Sequence, residues 1–184
     1  MRIIFVRHGE AEFNVNPIKE NDNKGLTKRG KEQAKHLGNK LKEQNISEIY
    51  TSSLLRAKQT GEIISKIIKV PIKDNLRELD EYPGRILKSK LYTLANRRLK
   101  RLKRFLREVS REREEDKTIL IVAHGITNRV IMSHFLEIPL KKQLLSFWQQ
   151  NTCVNRIYWN NEVKKWRMDR MNDISHLPKN FVLE

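Results

Sequence analysis

The sequence predicts an α/β protein, a three-layer α/β/α sandwich around a mostly parallel central sheet. Short apolar runs rich in β-branched residues alternate along the chain with segments in which apolar residues recur at helical spacing. The clearest of these runs, Thr118–Ala123, is apolar almost throughout, as expected of a strand buried between two layers of helices. The alternation ends in two strand-like segments around Asn160-Asn161, which indicate a terminal hairpin.

The individual elements follow from periodicity and from capping residues. In the first half we predict a strand at residues 3–6, a helix capped by Thr27, a strand at 46–50, a helix capped by Ser52 or Ser53 and an edge strand at 70–72. In the second half we predict a loop at 75–89, a long basic helix from Lys90 to about Arg113, the strand at 118–123, a helix through Phe135 and the hairpin at 153–168. We expect one domain, residues 1–184, with residues 79–113 as a short lid or helical insertion.

Composition limits the classes of substrate and the cellular compartment that fit this chain. The 184 residues carry a formal charge of +16, which attracts anionic substrates and polyanions alike. The single cysteine allows no internal disulfide and no paired-thiol metal site, which agrees with a reducing compartment. No run is long and apolar enough to span a bilayer. We therefore expect a cytoplasmic protein. We expect no cofactor, and the sequence does not indicate an oligomeric state.

Two predicted strands each end in a histidine followed by glycine, His8-Gly9 and His124-Gly125. Because parallel strands end at the same edge of a sheet, the two imidazoles can meet there. An imidazole is largely unprotonated near neutrality and needs no separate base to act as a nucleophile. Glycine directly after the histidine lets a phosphate approach the main chain closely. The pattern favours phosphoryl transfer.

Phosphoryl transfer also needs fixed positive charge around the phosphoryl oxygens and an acid for the leaving group. Arg7 and Arg56 suit the first requirement, and Arg56 lies in the first turns of a predicted helix whose N-terminus also favours an anion. Asn14 is a candidate neutral donor. Either Glu78 or Glu81 can supply the proton from the irregular segment that follows residue 75.

Four blocks of the chain, in order, resemble the signatures of the histidine phosphatase superfamily, the group that includes the cofactor-dependent phosphoglycerate mutases. The blocks are Arg7-His8-Gly9-Glu10 with Asn14, Leu26-Thr27-Lys28-Arg29-Gly30 with Gln33-Ala34, Ser53-Leu54-Leu55-Arg56-Ala57 with Thr60, and His124-Gly125 with Arg129. One such triplet is weak evidence, whereas four blocks in the right order leave little room for accident. Together they cover most of the chain.

The resemblance implies roles for these residues. His8 would be the phosphorylated nucleophile, Arg7, Arg56 and His124 would surround the phosphoryl group, and Asn14 would be a further phosphate contact. Glu78, in Leu76-Arg77-Glu78, matches the position of the family's proton donor, but the segment after it departs from the usual pattern, so Glu81 remains a rival. The resemblance implies no metal.

The predicted function is hydrolysis of a small-molecule phosphomonoester through a phosphohistidine on His8. By analogy with the family, whose dedicated glycolytic mutases enclose their substrate with long insertions, the short lid favours a phosphatase over the main alternative, a cofactor-dependent phosphoglycerate mutase. A phosphoprotein substrate is permitted. A second alternative, from another class, is a basic nucleic-acid-binding protein on a phosphatase-like fold; the basic residues show no organised aromatic interleaving, so nucleic acid is the less favoured partner.

Overall fold

The computed structural model describes residues 1–15, 24–82, 92–111, 113, 115–139 and 148–181. Six strands form one sheet: β1 (Arg2–Arg7), β2 (Ile46–Ser52), β3 (Ile72–Leu76), β4 (Thr118–Ala123), β5 (Val154–Asn160) and β6 (Lys165–Asp173). The α-helices of the described residues are α1 (Glu12–Val15), α2 (Lys28–Leu41), α3 (Leu55–Ile68), α4 (Tyr92–Val109) and α5 (Gly125–Leu136), and short 3-10 turns lie at Lys42–Gln44, Arg77–Leu79 and Lys179–Phe181.

The sheet has the order β3-β2-β4-β1-β5-β6. The first four of these strands run parallel to one another, β5 is antiparallel to β1, and β6 is antiparallel to β5. The predicted mostly parallel sheet with a terminal hairpin is therefore confirmed. β3 lies at the edge of the sheet, as Pro71 predicts, but it begins at Ile72 rather than at Val70, so Pro71 precedes the strand.

Alternate residues of the central strands build two separate cores, one on each face of the sheet. Ile4, Val6, Leu120 and Val122 pack against helices α2 and α3, which bury apolar residues such as Leu37 and Ile64. On the other face α4 and α5 cover Ile3, Phe5, Ile119 and Ile121 with residues that include Leu102, Leu106 and Ile131. These three layers confirm the predicted sandwich; the prediction of one domain over residues 1–184 stays a prediction.

Two local predictions between Ser52 and Leu79 are wrong. The predicted loop begins too early, because β3 continues to Leu76 and a 3-10 turn follows. Neither Ser52 nor Ser53 is the N-cap of α3; the cap position is Leu54, and the serine hydroxyls bind Asp80 instead. The rest of the predicted loop, residues 83–89, and with it part of the predicted lid, lies outside the described residues.

The hairpin turn also differs from its prediction. The positive backbone φ falls at Lys164 rather than at the two asparagines. The Asn160 side-chain oxygen instead accepts hydrogen bonds from the backbone N–H groups of Glu162 and Val163, 3.0 Å away in each case. A side chain that replaces a backbone acceptor in this way is the second means by which asparagine forms turns.

Among the described residues, no helix is both long enough and apolar enough to cross a membrane.

Candidate active site

Three neighbouring parallel strands end at one edge of the sheet and deliver polar side chains there. β1 ends at Arg7, directly before His8; β2 ends at Ser52; and β4 ends directly before His124. The two imidazole rings lie with their centroids 5.0 Å apart and their planes at 62°. The expectation that the two His-Gly turns meet is thus confirmed, and Ser52 joins them.

His8 is held in one tautomer. Its Nδ1 lies 2.7 Å from the carbonyl oxygen of Gly9, which can only accept a hydrogen bond, so Nδ1 carries the proton. The lone pair is therefore on Nε2, where the Arg56 Nε–H group donates a hydrogen bond over 3.2 Å. The residue is only 1% exposed. Burial, and then the charges of Arg7 and Arg56, hold the pKa of His8 well below 6.5, so the ring is neutral and nucleophilic.

The two predicted phosphate-binding arginines are both buried beside His8. Arg56 lies in the first turn of α3, and its backbone carbonyl accepts a hydrogen bond from the Thr60 hydroxyl at 2.7 Å. Arg7 donates through Nη1 to the carbonyl oxygen of Gln149, and its guanidinium carbon lies 5.1 Å from the centroid of the Trp148 ring. Two guanidinium groups at the end of a parallel sheet make a strongly anion-attracting position.

His124 is fully buried and is oriented by a serine. Its Nε2 lies 2.7 Å from Ser52 Oγ, which in turn donates to Asp80 Oδ1 over 2.8 Å. Because the hydroxyl proton is given to Asp80, His124 Nε2 must be the donor to Ser52. The other ring nitrogen, Nδ1, is buried and has no hydrogen-bond partner in the described part of the chain. Burial, and next the adjacent His8, lower the pKa of His124 well below 6.5.

Asp80 fixes this part of the site and was not predicted. Besides Ser52 it accepts hydrogen bonds from the backbone N–H and the hydroxyl of Ser53, and its carbonyl oxygen accepts from Thr127 Oγ1 at 2.8 Å. It therefore joins the end of β2 to the first turn of α5. Ser52 had a signal in the sequence, since it ends a strand as His8 and His124 do, but nothing in the sequence distinguishes Asp80 from other loop carboxylates.

The structure separates the two candidate proton donors. The Glu81 carboxylate accepts a hydrogen bond from the backbone N–H of Ile126, at the start of α5, over 3.2 Å. Burial raises the pKa of Glu81, and the charges of Arg7 and Arg56 oppose that rise. Glu78, one turn earlier, lies instead 3.6 Å from Arg101 Nε on α4 and has no described contact with the histidines.

Asn14, the predicted neutral phosphate contact, makes a local contact. Its Oδ1 accepts a hydrogen bond from the backbone N–H of Ala11 over 2.9 Å, within the turn that opens α1. No hydrogen bond joins it to His8 or Arg56 in the described part of the chain. Its phosphate-binding role stays a prediction.

Arg98, on α4, is a further residue of the site, which the sequence did not single out among the basic residues of this helix. Its Nη1 donates to the carbonyl oxygen of Glu81 over 3.0 Å, and its guanidinium carbon lies 4.5 Å from the centroid of the Tyr82 ring. The charge of Arg98 is also among the causes that lower the pKa of His124. In the sequence it is one of many cations on a basic helix, so only the packing of α4 singles it out.

The model of the histidine phosphatase superfamily, branch 1, matches residues 3–85 and 95–174. The chain belongs to the histidine phosphatase superfamily. Within this superfamily the chain is 30% identical to an uncharacterized phosphatase, PhoE, of Bacillus subtilis, over 95% of this chain and 96% of that protein.

Other members of the superfamily differ in length and in name. The chain is 29% identical to phosphoserine phosphatase 1 of Hydrogenobacter thermophilus, over 86% of this chain and 84% of that enzyme. It is 28% identical to 6-phosphofructo-2-kinase/fructose-2,6-bisphosphatase 4 of Rattus norvegicus, over 73% of this chain but only 33% of the rat protein. The alignment with the probable phosphoglycerate mutase GpmB of Photorhabdus laumondii covers 43% of this chain and 38% of that protein. The chain thus spans about a third of the length of some of its relatives.

Solved structures of the superfamily share the fold. A phosphoserine phosphatase from Entamoeba histolytica, in complex with 3-phosphoglyceric acid, superposes with a TM-score of 0.75 over 96% of this chain and 99% of that chain, at 21% identity. A putative alpha-ribazole-5'-P phosphatase from Escherichia coli gives a TM-score of 0.76 at the same identity, over 95% and 98% of the two chains. At this identity the likeness establishes the fold alone.

Proposed function

We propose that this histidine phosphatase hydrolyses small-molecule phosphomonoesters through a phosphohistidine formed on His8 Nε2. The observation that carries the proposal is the state of that atom. The Gly9 carbonyl holds the ring proton on Nδ1, so Nε2 carries no proton. Its lone pair accepts a hydrogen bond from the Arg56 guanidinium. A nucleophile prepared in this way needs only a phosphoryl group brought in line with it.

Binding of that group rests on Arg7, Arg56 and His124. The buried Nδ1 of His124 has no partner among the described residues, and a buried polar atom without one costs about 1–3 kcal/mol. A phosphoryl dianion favours the protonated form of the ring, in which Nδ1–H donates to a phosphoryl oxygen while Nε2–H keeps its bond to Ser52. Positive charge would then surround the oxygens on which negative charge builds up during transfer.

We further propose that Glu81, rather than Glu78, is the proton donor. In the first step the N–P bond forms, the P–O bond to the alcohol breaks, and the leaving oxygen takes the proton of the Glu81 carboxyl group. In the second step the Glu81 carboxylate takes a proton from water, the water oxygen attacks phosphorus, and the N–P bond breaks to release phosphate. The support is the raised pKa of Glu81 and its position against the first turn of α5.

Partner and location belong to the same proposal. A small phosphate ester is favoured as substrate because phosphatases that are named for such substrates are among the relatives, and a phosphoprotein is the second possibility. A cytoplasmic location is supported by the single, buried cysteine, Cys153. Phosphoglycerate mutase activity is the competing outcome, since several relatives are named as probable mutases.

Product analysis tests the proposal. The purified, metal-free protein is incubated with 3-phosphoglycerate, with and without 2,3-bisphosphoglycerate, and with a panel of simple phosphomonoesters. We expect release of inorganic phosphate that is lost in His8→Ala, together with an acid-labile, alkali-stable phosphoryl group on the wild type after rapid quenching. Near-wild-type turnover by His8→Ala would refute the phosphohistidine. Conversion to 2-phosphoglycerate with little phosphate release would identify a mutase.

A further inference from the structure

A second concave surface lies at the opposite edge of the sheet from His8. It is a cavity of about 470 Å³ between the end of α4, the end of α5 and the β5–β6 hairpin. The described residues that line it are Arg107, Ser110, Arg113, His134, Phe135, Leu136, Glu137, Trp159, Lys164, Lys165, Trp166 and Arg167. We call it the distal cavity.

The distal cavity is far from the reacting atoms. α5 begins directly after His124 and reaches the cavity with Leu136, and a helix of that length spans roughly 18 Å. The hairpin gives the same result, because Trp159 and Trp166 pair with each other beside the start of β1 rather than its end. A ligand in the distal cavity is therefore not the phosphoryl group that His8 attacks.

The charge of the distal cavity is strongly unbalanced. Among the described residues, five cationic side chains line it, from Arg107, Arg113, Lys164, Lys165 and Arg167, against the one carboxylate of Glu137. None of the five forms an ion pair within the part of the chain that the structure describes, whereas Lys40, Arg101 and Arg156 elsewhere do. Like charges collected around one concave surface repel one another, and a bound anion removes that repulsion.

The aromatic residues of the distal cavity are engaged by protein groups. The Arg113 guanidinium carbon lies 3.5 Å above the centroid of the Trp159 ring, a contact that holds this cation in place. Trp159 meets Trp166 edge-on at 5.8 Å, and Trp166 packs against Phe135 at 4.7 Å. Single-stranded nucleic acids bind by stacking bases on free aromatic faces. In the distal cavity Trp159 instead holds the Arg113 cation, and Trp166 packs against Trp159 and Phe135.

We propose that the distal cavity is a binding site for a compact polyphosphate anion without a base, of the size and charge of inorganic tripolyphosphate. Several phosphate groups held close together match several cations around one cavity, and arginine and lysine are both common phosphate ligands. The site is separate from the phosphatase centre, so the proposal stands whether or not the proposed function does.

Calorimetric titration with tripolyphosphate tests it. The titrations use Arg56→Ala protein at about 50 mM salt, so that the anion site beside His8 is weakened and surface electrostatics are not screened out. We expect one remaining binding event. Adding Arg107→Ala and Arg113→Ala should weaken it at least about tenfold, since two charge-assisted contacts are lost. Circular dichroism checks that each variant is folded.

The matched control removes two other exposed arginines of the same segment, Arg104 and Arg111, which do not line the distal cavity. The pair Arg104→Ala and Arg111→Ala should weaken tripolyphosphate by less than about threefold. An equal loss in both pairs would reduce the effect to general charge attraction and overturn the proposal. Absence of any binding in Arg56→Ala protein would do the same. A single-stranded oligonucleotide of equal charge that displaces tripolyphosphate at a concentration below that of tripolyphosphate would also overturn the proposal. The occupant would then be a nucleic acid.

Discussion

A carboxyl group acts as an acid near neutrality only if its surroundings keep the proton on it. Glu81 and Glu78 are three residues apart, yet their surroundings differ. Glu81 is turned inward, where burial raises its pKa even though the arginines oppose the rise. Glu78 lies instead beside α4, with its carboxylate 3.6 Å from Arg101 Nε. The two residues are thus suited to different tasks.

Replacement of each carboxylate in turn distinguishes them. We expect Glu81→Gln to lower kcat on an alkyl phosphate by roughly 10²- to 10⁴-fold, because the alkoxide then leaves without a proton, and to lower it by less than about tenfold on p-nitrophenyl phosphate. Glu78→Gln is the matched control and should change both rates by less than about threefold. The measurement is steady-state kinetics on the two substrates. The reverse pattern would return the donor role to Glu78.

The pH dependence of the same variants gives an independent reading. The donor must be protonated, so kcat on the alkyl phosphate should fall as pH rises through the raised pKa of Glu81. The Glu81→Gln enzyme should lack this alkaline limb. A limb that persists in Glu81→Gln would show that another group supplies the proton.

At the scale of elements, the start of α2 packs directly on the turn that carries His8. A Cβ built on Gly30 would lie 1.9 Å from the carbonyl oxygen of Glu10, and one on Gly9 would lie 2.5 Å from the carbonyl oxygen of Gly30. The Thr27 backbone N–H bonds the same Glu10 oxygen over 3.0 Å. These two glycines are required because backbone meets backbone. Gly125 differs, since nothing lies within 4 Å of a Cβ placed there.

Substitution of Gly30 and of Gly125 by alanine measures how much the close backbone contact at Gly30 matters for stability. We expect Gly30→Ala to lower the free energy of unfolding by at least about 2 kcal/mol, because the backbone of α2 must move away from the turn. Gly125→Ala, also in the first half of a helix, should change it by no more than about 1 kcal/mol in either direction. Urea unfolding of both variants gives the comparison. A Gly30→Ala protein as stable as Gly125→Ala would show that the two backbones separate without cost.

At the scale of the whole molecule, the fold buries histidines in their neutral form. His8 and His124 are fully enclosed, and burial, followed by the charge of Lys40, lowers the pKa of His176 to about 4. His176, from the segment after β6, also bonds Thr152 Oγ1 over 3.1 Å. Each such ring takes up a proton on unfolding at any pH between its folded pKa and the ordinary value near 6.5. The stability that they contribute is present above pH 6.5 and is lost as pH falls below it.

His176 allows this linkage to be tested away from the active site. As pH is lowered from 6.5 to 4.5, the unfolding free energy of the wild type should decrease more steeply than that of His176→Gln. The difference in slope should be about 1 kcal/mol per pH unit, close to the value for one proton. Urea unfolding in phosphate-free buffer at four pH values measures both slopes. Equal slopes would mean that folding does not lower the pKa of His176, so that the ring is protonated to the same extent in the folded and the unfolded protein.

Much of this molecule was determined by local patterns in the sequence. Apolar runs and helical periodicity are properties of short segments, and parallel strands end at one edge whatever the details, so the sheet and the meeting of His8 with His124 could be predicted. Arg7 and Arg56 could also be predicted as site residues, because Arg7 lies at the end of a strand and Arg56 at the start of a helix.

Only the tertiary structure decided what depends on contacts between distant segments. A 3-10 turn over Arg77–Leu79 sends Glu78 and Glu81 in different directions, and no periodicity in the sequence records that turn. Asp80 meets Ser52 and Ser53 across a separation of 27 or 28 residues. The fit of Gly30 against Glu10 and the collection of cations in the distal cavity arise in the same way, because the positions of side chains in space are set by packing rather than by their order along the chain.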